Sequence, residues 1–120
     1  MLVVDADERV RESLAGLLAI GERVVVVGSA GDPGPALELV AAARPDVVIV
    51  DPRLPEVDGG LAFIARVRRV APGVRILVMS WSDALEHVAR DGGADGFIRK
   101  TFRPSELINA IVSTGARSPA

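Results

Sequence analysis

The chain of 120 residues has no cysteine and only four aromatic residues, one tryptophan and three phenylalanines. Without cysteine, neither a disulfide framework nor a thiolate zinc site can form. So few aromatic side chains argue against a platform on which nucleic-acid bases stack. Fourteen basic and sixteen acidic residues give a net charge of −2, so no strong field favours nucleic acid or anionic lipid.

Long apolar runs are also missing from the sequence. No run approaches the length that spans a bilayer, and Asp5 interrupts any start that resembles a signal peptide. A length of 120 residues suits one domain that buries about two-thirds of its unfolded surface. We therefore expect a cytoplasmic domain without membrane contact.

Short apolar runs alternate with helical periodicity along the chain. The predicted strands are Leu2–Val4, Val24–Val27, Asp46–Val50, Val74–Met79 and Gly96–Ile98. The first three helical patterns are a stripe at Val10, Leu14, Leu17 and Leu18, a helix from Pro33 to Pro45, and a helix from about Gly60. Two more are predicted over Asp83–Asp91 and from Pro104, the latter burying Leu107, Ile108, Ile111 and Val112. This alternation predicts an α/β fold, a doubly wound parallel sheet with helices on both faces.

Polar side chains follow four of the predicted strands: Asp5, Asp51, Ser80 and Lys100. The carboxyl ends of parallel strands meet at one rim of such a sheet, so these side chains are expected to converge. A carboxylate can act as the nucleophile that accepts phosphate. A divalent cation, an ammonium group and a hydroxyl can then neutralise the phosphoryl oxygens. The strand ends therefore predict phosphoryl chemistry with Asp51 at the floor of the site.

The segment Asp51–Gly59, reading DPRLPEVDG, together with these strand ends resembles the receiver domain of two-component response regulators. The resemblance covers essentially the whole chain and implies a flavodoxin-like five-stranded sheet in the order 2-1-3-4-5. It also implies that Asp51 accepts a phosphoryl group from a sensor histidine kinase. Enzymatic activity beyond self-phosphorylation and dephosphorylation at Asp51 is not expected.

The same resemblance assigns roles to the remaining site residues. Mg²⁺ would be bound by the carboxylates of Asp5 and Asp51 and by the backbone carbonyl of Arg53. Ser80 and Lys100 fall at the positions that bind the phosphate and transmit the switch. Phe97 falls at the position of the switch aromatic.

Two departures from the family pattern concern the metal site and access to Asp51. Receivers usually present two adjacent acids after the first strand, whereas this sequence reads Asp5-Ala6-Asp7. Because Mg²⁺ keeps several waters, loss of one carboxylate predicts weak binding rather than none, and Asp7 is a candidate replacement. Trp81 follows Ser80 where a small residue is usual, which makes it a candidate gate over the site.

Two alternatives follow from the residues. One is an atypical receiver that acts without phosphorylation as an interaction or dimerisation module, because Ala6 breaks the acid pair and Trp81 lies near the site. The other comes from the segment Leu2–Asp7, reading LVVDAD, which resembles the first motif of haloacid-dehalogenase-like phosphatases. That resemblance implies Asp5 as the nucleophile and Asp7 as the acid/base. The second alternative leaves Asp51 and its loop unexplained, and no later strand ends in that family's acid pair.

Residues 1–116 are predicted to form the receiver, and residues 117–120 the start of a linker to an effector domain. Receivers usually precede an effector that often binds DNA, whereas no element that reads nucleic acid is visible in this sequence. A homodimer is usual for the family, but no charge pattern in the sequence specifies one.

Overall fold

The computed structural model describes residues 1–20, 24–100 and 103–115. Within these ranges the strands are β1 (Leu2–Val4), β2 (Gly28–Ala30), β3 (Val47–Val50), β4 (Arg75–Ser80) and β5 (Gly96–Arg99). The helices are α1 (Glu8–Ile20), α2 (Pro33–Ala43), α3 (Val57–Val70), α4 (Glu86–Asp91) and α5 (Pro104–Gly115). A short 3₁₀ turn at Asp83–Leu85 precedes α4. None of the helices in the described part of the chain is long and apolar enough to cross a membrane.

The described strands form one parallel sheet in the order β2-β1-β3-β4-β5. Both the strand order and the parallel pairing confirm the predicted fold. The central strand β3 is buried on both faces, which explains why its sequence is continuously apolar rather than alternating.

Two apolar cores lie on opposite faces of the sheet because successive strand residues point in opposite directions. Val4, Val50 and Val78 belong to the core that includes residues of α2, α3 and α4. On the other face, Ile49 and Leu77 belong to the core that includes residues of α1 and α5. Helices therefore cover both faces, and the polar side chains of the predicted site lie at the edge where the strands end.

The predicted position of the second strand is wrong. The strand that pairs with β1 is Gly28–Ala30, whereas the prediction placed it at Val24–Val27. Met1 donates its amino group to the Val25 carbonyl at 2.6 Å and accepts the Val27 amide at 2.9 Å, so the valine run lies beside the start of β1. Val25 is 73% exposed, so this run borders the sheet without being enclosed by it.

Three smaller differences concern the helices. The third helix begins at Val57 rather than near Gly60, since the turn of the preceding loop leads directly into it. Val112 was expected to be buried in the last helix but is 36% exposed, unlike Leu107 and Ile111. The proposed linker, residues 117–120, lies outside the described residues, so the boundary at 116 stays a prediction.

Candidate functional site

Three predicted residues meet at the carboxyl edge of the sheet. The Lys100 ammonium Nζ lies 2.7 Å from Asp5 Oδ2 and 2.6 Å from Asp51 Oδ2, so one cation bridges both carboxylates. The three side chains are only 5% to 10% exposed. The site therefore combines two buried carboxylates with one buried ammonium, which leaves a formal charge of −1.

Strand pairing continues past the strand ends and positions both acids. The Asp51 amide donates to the carbonyl of Val4 at 3.0 Å, and the Asp5 amide donates to the carbonyl of Ala30 at 3.1 Å. These bonds extend the ladders of β1 with its two neighbours by one residue. As a result, adjacent strands deliver both side chains to the same crevice, as the topology requires.

The second oxygen of each carboxylate fixes the loop that follows its strand. Asp5 Oδ1 accepts the amide of Asp7, and Asp51 Oδ1 accepts the amide of Arg53, each at 2.9 Å. Such two-residue turns hold a short acidic side chain in one orientation. Each carboxylate thus has one oxygen committed to its loop and one facing Lys100.

The loop after Asp51 turns sharply because glycine permits a close approach. A Cβ atom on Gly60 would lie 1.7 Å from the carbonyl oxygen of Pro52, and one on Gly59 would lie 2.2 Å from that of Leu54. No side chain fits at these distances, so the first turn of α3 packs directly on the loop backbone. The Asp-Gly-Gly sequence thereby determines where the loop returns beside Asp51.

Ser80 and Phe97 lie on the strands next to Lys100. Ser80 is buried, its carbonyl accepts the Lys100 amide at 2.8 Å, and its hydroxyl accepts the Ser82 amide at 3.4 Å. Phe97 is half-buried, pairs with Val78 across the sheet and packs on the core beside α4. Ser80 therefore lies at the predicted carboxyl edge, whereas Phe97 lies two residues further back in the sheet, level with Val78. The roles of both residues in a switch stay predictions.

The structure uses Asp7 as the cap of α1. Its carboxylate accepts the amide of Arg9 at 2.9 Å, and its side chain is exposed. This bond satisfies a free amide of the first helical turn. Among the described residues no group of three or more acidic or histidine side chains is placed to hold a metal ion. Asp5 and Asp51 bring two carboxylates together at this edge, while Mg²⁺ binding by them and the Arg53 carbonyl, and Asp7 as a replacement ligand, stay predictions.

Two features of the site were not predicted from the sequence. Arg11 Nη1 donates to the backbone carbonyl of Asp5 at 2.6 Å, but an arginine on an amphipathic helix carries no signal of such a contact. The Trp81 ring lies over Lys100, with 5.4 Å between the ring centroid and Nζ. Trp81 is therefore next to the ammonium, and its predicted function as a gate over Asp51 stays a prediction.

Comparison with known proteins agrees with this geometry. The family model described as "response regulator receiver domain" matches residues 1–112. The fold and the acid–lysine site define a receiver module, and the chain belongs to the response regulator receiver family. Neither the phosphorylation-independent alternative nor the phosphatase is favoured by these matches.

Similar proteins are found among both curated sequences and solved structures. The chain is 38% identical over 112 residues to the transcriptional regulatory protein PdtaR of Mycobacterium tuberculosis, covering 92% of this chain and 54% of that protein. It is 35% identical over 118 residues to the DNA-binding transcriptional activator DevR/DosR of the same organism, covering 97% and 54%. The chain therefore spans about half the length of these relatives. The signal receiver domain of the response regulator NarL from M. tuberculosis has a TM-score of 0.83 and 34% identity, covering 95% of this chain and 93% of that one.

Proposed function

We propose that this receiver accepts a phosphoryl group on Asp51 from the phosphohistidine of a sensor kinase and relays the change to an effector domain. The observation that carries the proposal is the Asp5–Lys100–Asp51 arrangement, which joins residues that follow three strands of one parallel sheet, β1, β3 and β5. The family membership supports it, since response regulators act in two-component signalling.

The chemistry uses the Asp51 carboxylate as nucleophile. One of its oxygens attacks the phosphorus of the donor, the bond from phosphorus to the histidine nitrogen breaks, and an acyl phosphate forms. Lys100 already lies 2.6 Å from Asp51 Oδ2 and can follow the negative charge to a phosphoryl oxygen. The Ser80 hydroxyl, buried on the neighbouring strand β4, is a donor for a second phosphoryl oxygen.

Asp5, Asp51 and the backbone carbonyl of Arg53 would hold Mg²⁺ in this proposal. The metal would supply additional neutralisation of the phosphoryl oxygens. Because Ala6 offers no ligand and Lys100 already pairs with both acids, we expect weak binding in which water completes the coordination.

Transmission of the signal and the identity of the partners are part of the same proposal. Movement of Ser80 toward the phosphate would open space beside β4, which the half-buried Phe97 ring on β5 could then occupy. A change at this edge would alter the surface around α4, β5 and α5. We propose that an effector domain, of the DNA-binding type named for DevR/DosR, or a second receiver responds to that surface in the cytoplasm.

The direct test is incubation with acetyl phosphate and saturating Mg²⁺ followed by intact-mass measurement. The wild type should gain one phosphoryl group, and Asp51→Asn should gain none. Asp58→Asn is the matched control because Asp58 is an exposed acid in the first turn of α3, downstream in the same segment, and it should behave like the wild type. The absence of any gain in the wild type would contradict the proposal and support a receiver that works without phosphorylation.

A further inference from the structure

The single tryptophan and the single lysine of this chain are neighbours at the site. Trp81 is 48% exposed, whereas the side chain of Lys100 is only 5% exposed. The indole therefore lies on the solvent side of an ammonium that has already given up its own hydration. A cation within about 6 Å of the ring centroid is attracted by the face of an indole, and more strongly than by the face of a phenyl ring.

The backbone on both sides of Trp81 is tied to strand β5. Arg99 Nη2 donates to the Trp81 carbonyl at 3.1 Å, and the Lys100 amide donates to the Ser80 carbonyl at 2.8 Å. The Ser82 hydroxyl then accepts the Ala84 amide at 3.2 Å and caps the 3₁₀ turn that follows. The position of the indole is thus coupled to the strand that carries the lysine.

Apolar packing completes the enclosure of Lys100. A cavity of about 10 Å³ lies between Trp81, Lys100, Met79 and the α1 residues Val10 and Leu14. This volume is at the lower limit for a single water molecule, and the lining is mostly apolar apart from Ser13 and Lys100. The lysine stem consequently has little room to leave its place between the two acids.

We propose that Trp81 is a positioning residue that holds the Lys100 ammonium on Asp5 and Asp51. Through that contact it opposes binding of a divalent cation to the same oxygens. The opposition to metal binding rests on the proposed function, whereas the positioning of Lys100 concerns the metal-free protein alone. A metal must take carboxylate oxygens that the ammonium occupies at 2.6 and 2.7 Å, so any group that stabilises the ammonium there weakens metal binding.

The first measurement is made without metal. Because Lys100 is the only lysine, ¹⁵N-lysine labelling gives one side-chain ammonium signal, and its proton exchange with water reports how often the ammonium leaves the acids. Trp81→Leu keeps an apolar cover but removes the aromatic face. We expect exchange to be roughly two- to fivefold faster in Trp81→Leu than in the wild type, with Trp81→Phe between them. Val70→Ala, which shortens another exposed apolar side chain at the far end of α3, should exchange like the wild type.

The second measurement is a calorimetric titration of the same variants with Mg²⁺. Affinity should rise by a similar factor in Trp81→Leu and by less in Trp81→Phe. Equal exchange rates in wild type and Trp81→Leu would overturn the positioning role, and equal or lower Mg²⁺ affinity in Trp81→Leu would overturn the opposition to metal. Failure of every variant to bind Mg²⁺ would count against the proposed function and against that opposition, while the exchange comparison would still decide the positioning role.

Discussion

Lys100→Met should destabilise the protein because it removes the cation that pairs with two buried acids. Methionine preserves most of the length and apolar character of the lysine stem but leaves two buried carboxylates without their cation. At 2.6 Å and an effective dielectric constant of about 20, one ion pair corresponds to roughly 6 kcal/mol of Coulomb attraction. Most of that attraction offsets the cost of desolvation, whereas removal of one partner from a buried pair typically costs about 3–5 kcal/mol. We expect Lys100→Met to lose about that much free energy of unfolding.

A double-mutant cycle with Asp51→Asn tests the physical cause. The asparagine oxygen can still accept the Arg53 amide, and the substitution reduces the site from two negative charges to one. In that background Lys100→Met leaves a single acid without a cation, so the loss of free energy of unfolding caused by Lys100→Met should fall by about half. Urea denaturation followed by circular dichroism measures the four stabilities. A loss below about 1 kcal/mol for Lys100→Met, or equal losses in both backgrounds, would refute the argument from uncompensated charge.

Three further predictions concern the scaffold around the site and use the same denaturation assay. Gly60→Ala should destabilise the protein by more than about 2 kcal/mol because its Cβ would lie 1.7 Å from the Pro52 carbonyl oxygen; wild-type stability would show that the loop yields easily. Phe63→Ala should cost about 3–5 kcal/mol, since Phe63 is 1% exposed and belongs to the core that α3 forms with α2, α4 and the sheet. A loss under 1 kcal/mol would mean that the core collapses around the gap. Arg68→Ala should cost about 1–3 kcal/mol because Arg68 joins α3 to carbonyls before β4 and β5 and to Asp95. The control Arg69→Ala, at an exposed neighbouring position, should change the free energy of unfolding by no more than about 0.5 kcal/mol. Equal losses in the two variants would contradict the contact-based argument.

The sequence was sufficient to predict a parallel sheet and the chemical character of its edge, whereas the strand order was implied by the family resemblance. Continuous apolar runs identify buried parallel strands, and the side chain after each run is then required by topology to lie at one rim. This is why Asp5, Asp51 and Lys100 could be placed together although 95 residues separate the first from the last. The direct approach of the lysine to both acids confirms that geometric expectation.

The same reasoning failed where local pattern and pairing disagree. The run Val24–Val27 has the composition of a strand, yet the sheet pairs the following residues, Gly28–Ala30, with β1. A strand exists only where its neighbour supplies hydrogen-bond partners, and that depends on where β1 begins rather than on the valines. Likewise, the exposure of Val112 depends on what packs beside the last helix, which its periodicity does not specify.

The amino-acid order determined which residues reach the carboxyl edge of the sheet, because a strand's carboxyl end is fixed by its position in the chain. Only the tertiary structure decided which of those charged groups pair with one another. It commits Asp7 to the cap of α1, places the single Lys100 ammonium within 2.7 Å of two carboxylates, and puts the Trp81 ring next to that lysine. Such contacts arise between segments that packing brings together, and the distances between their charges determine how strongly those charges interact.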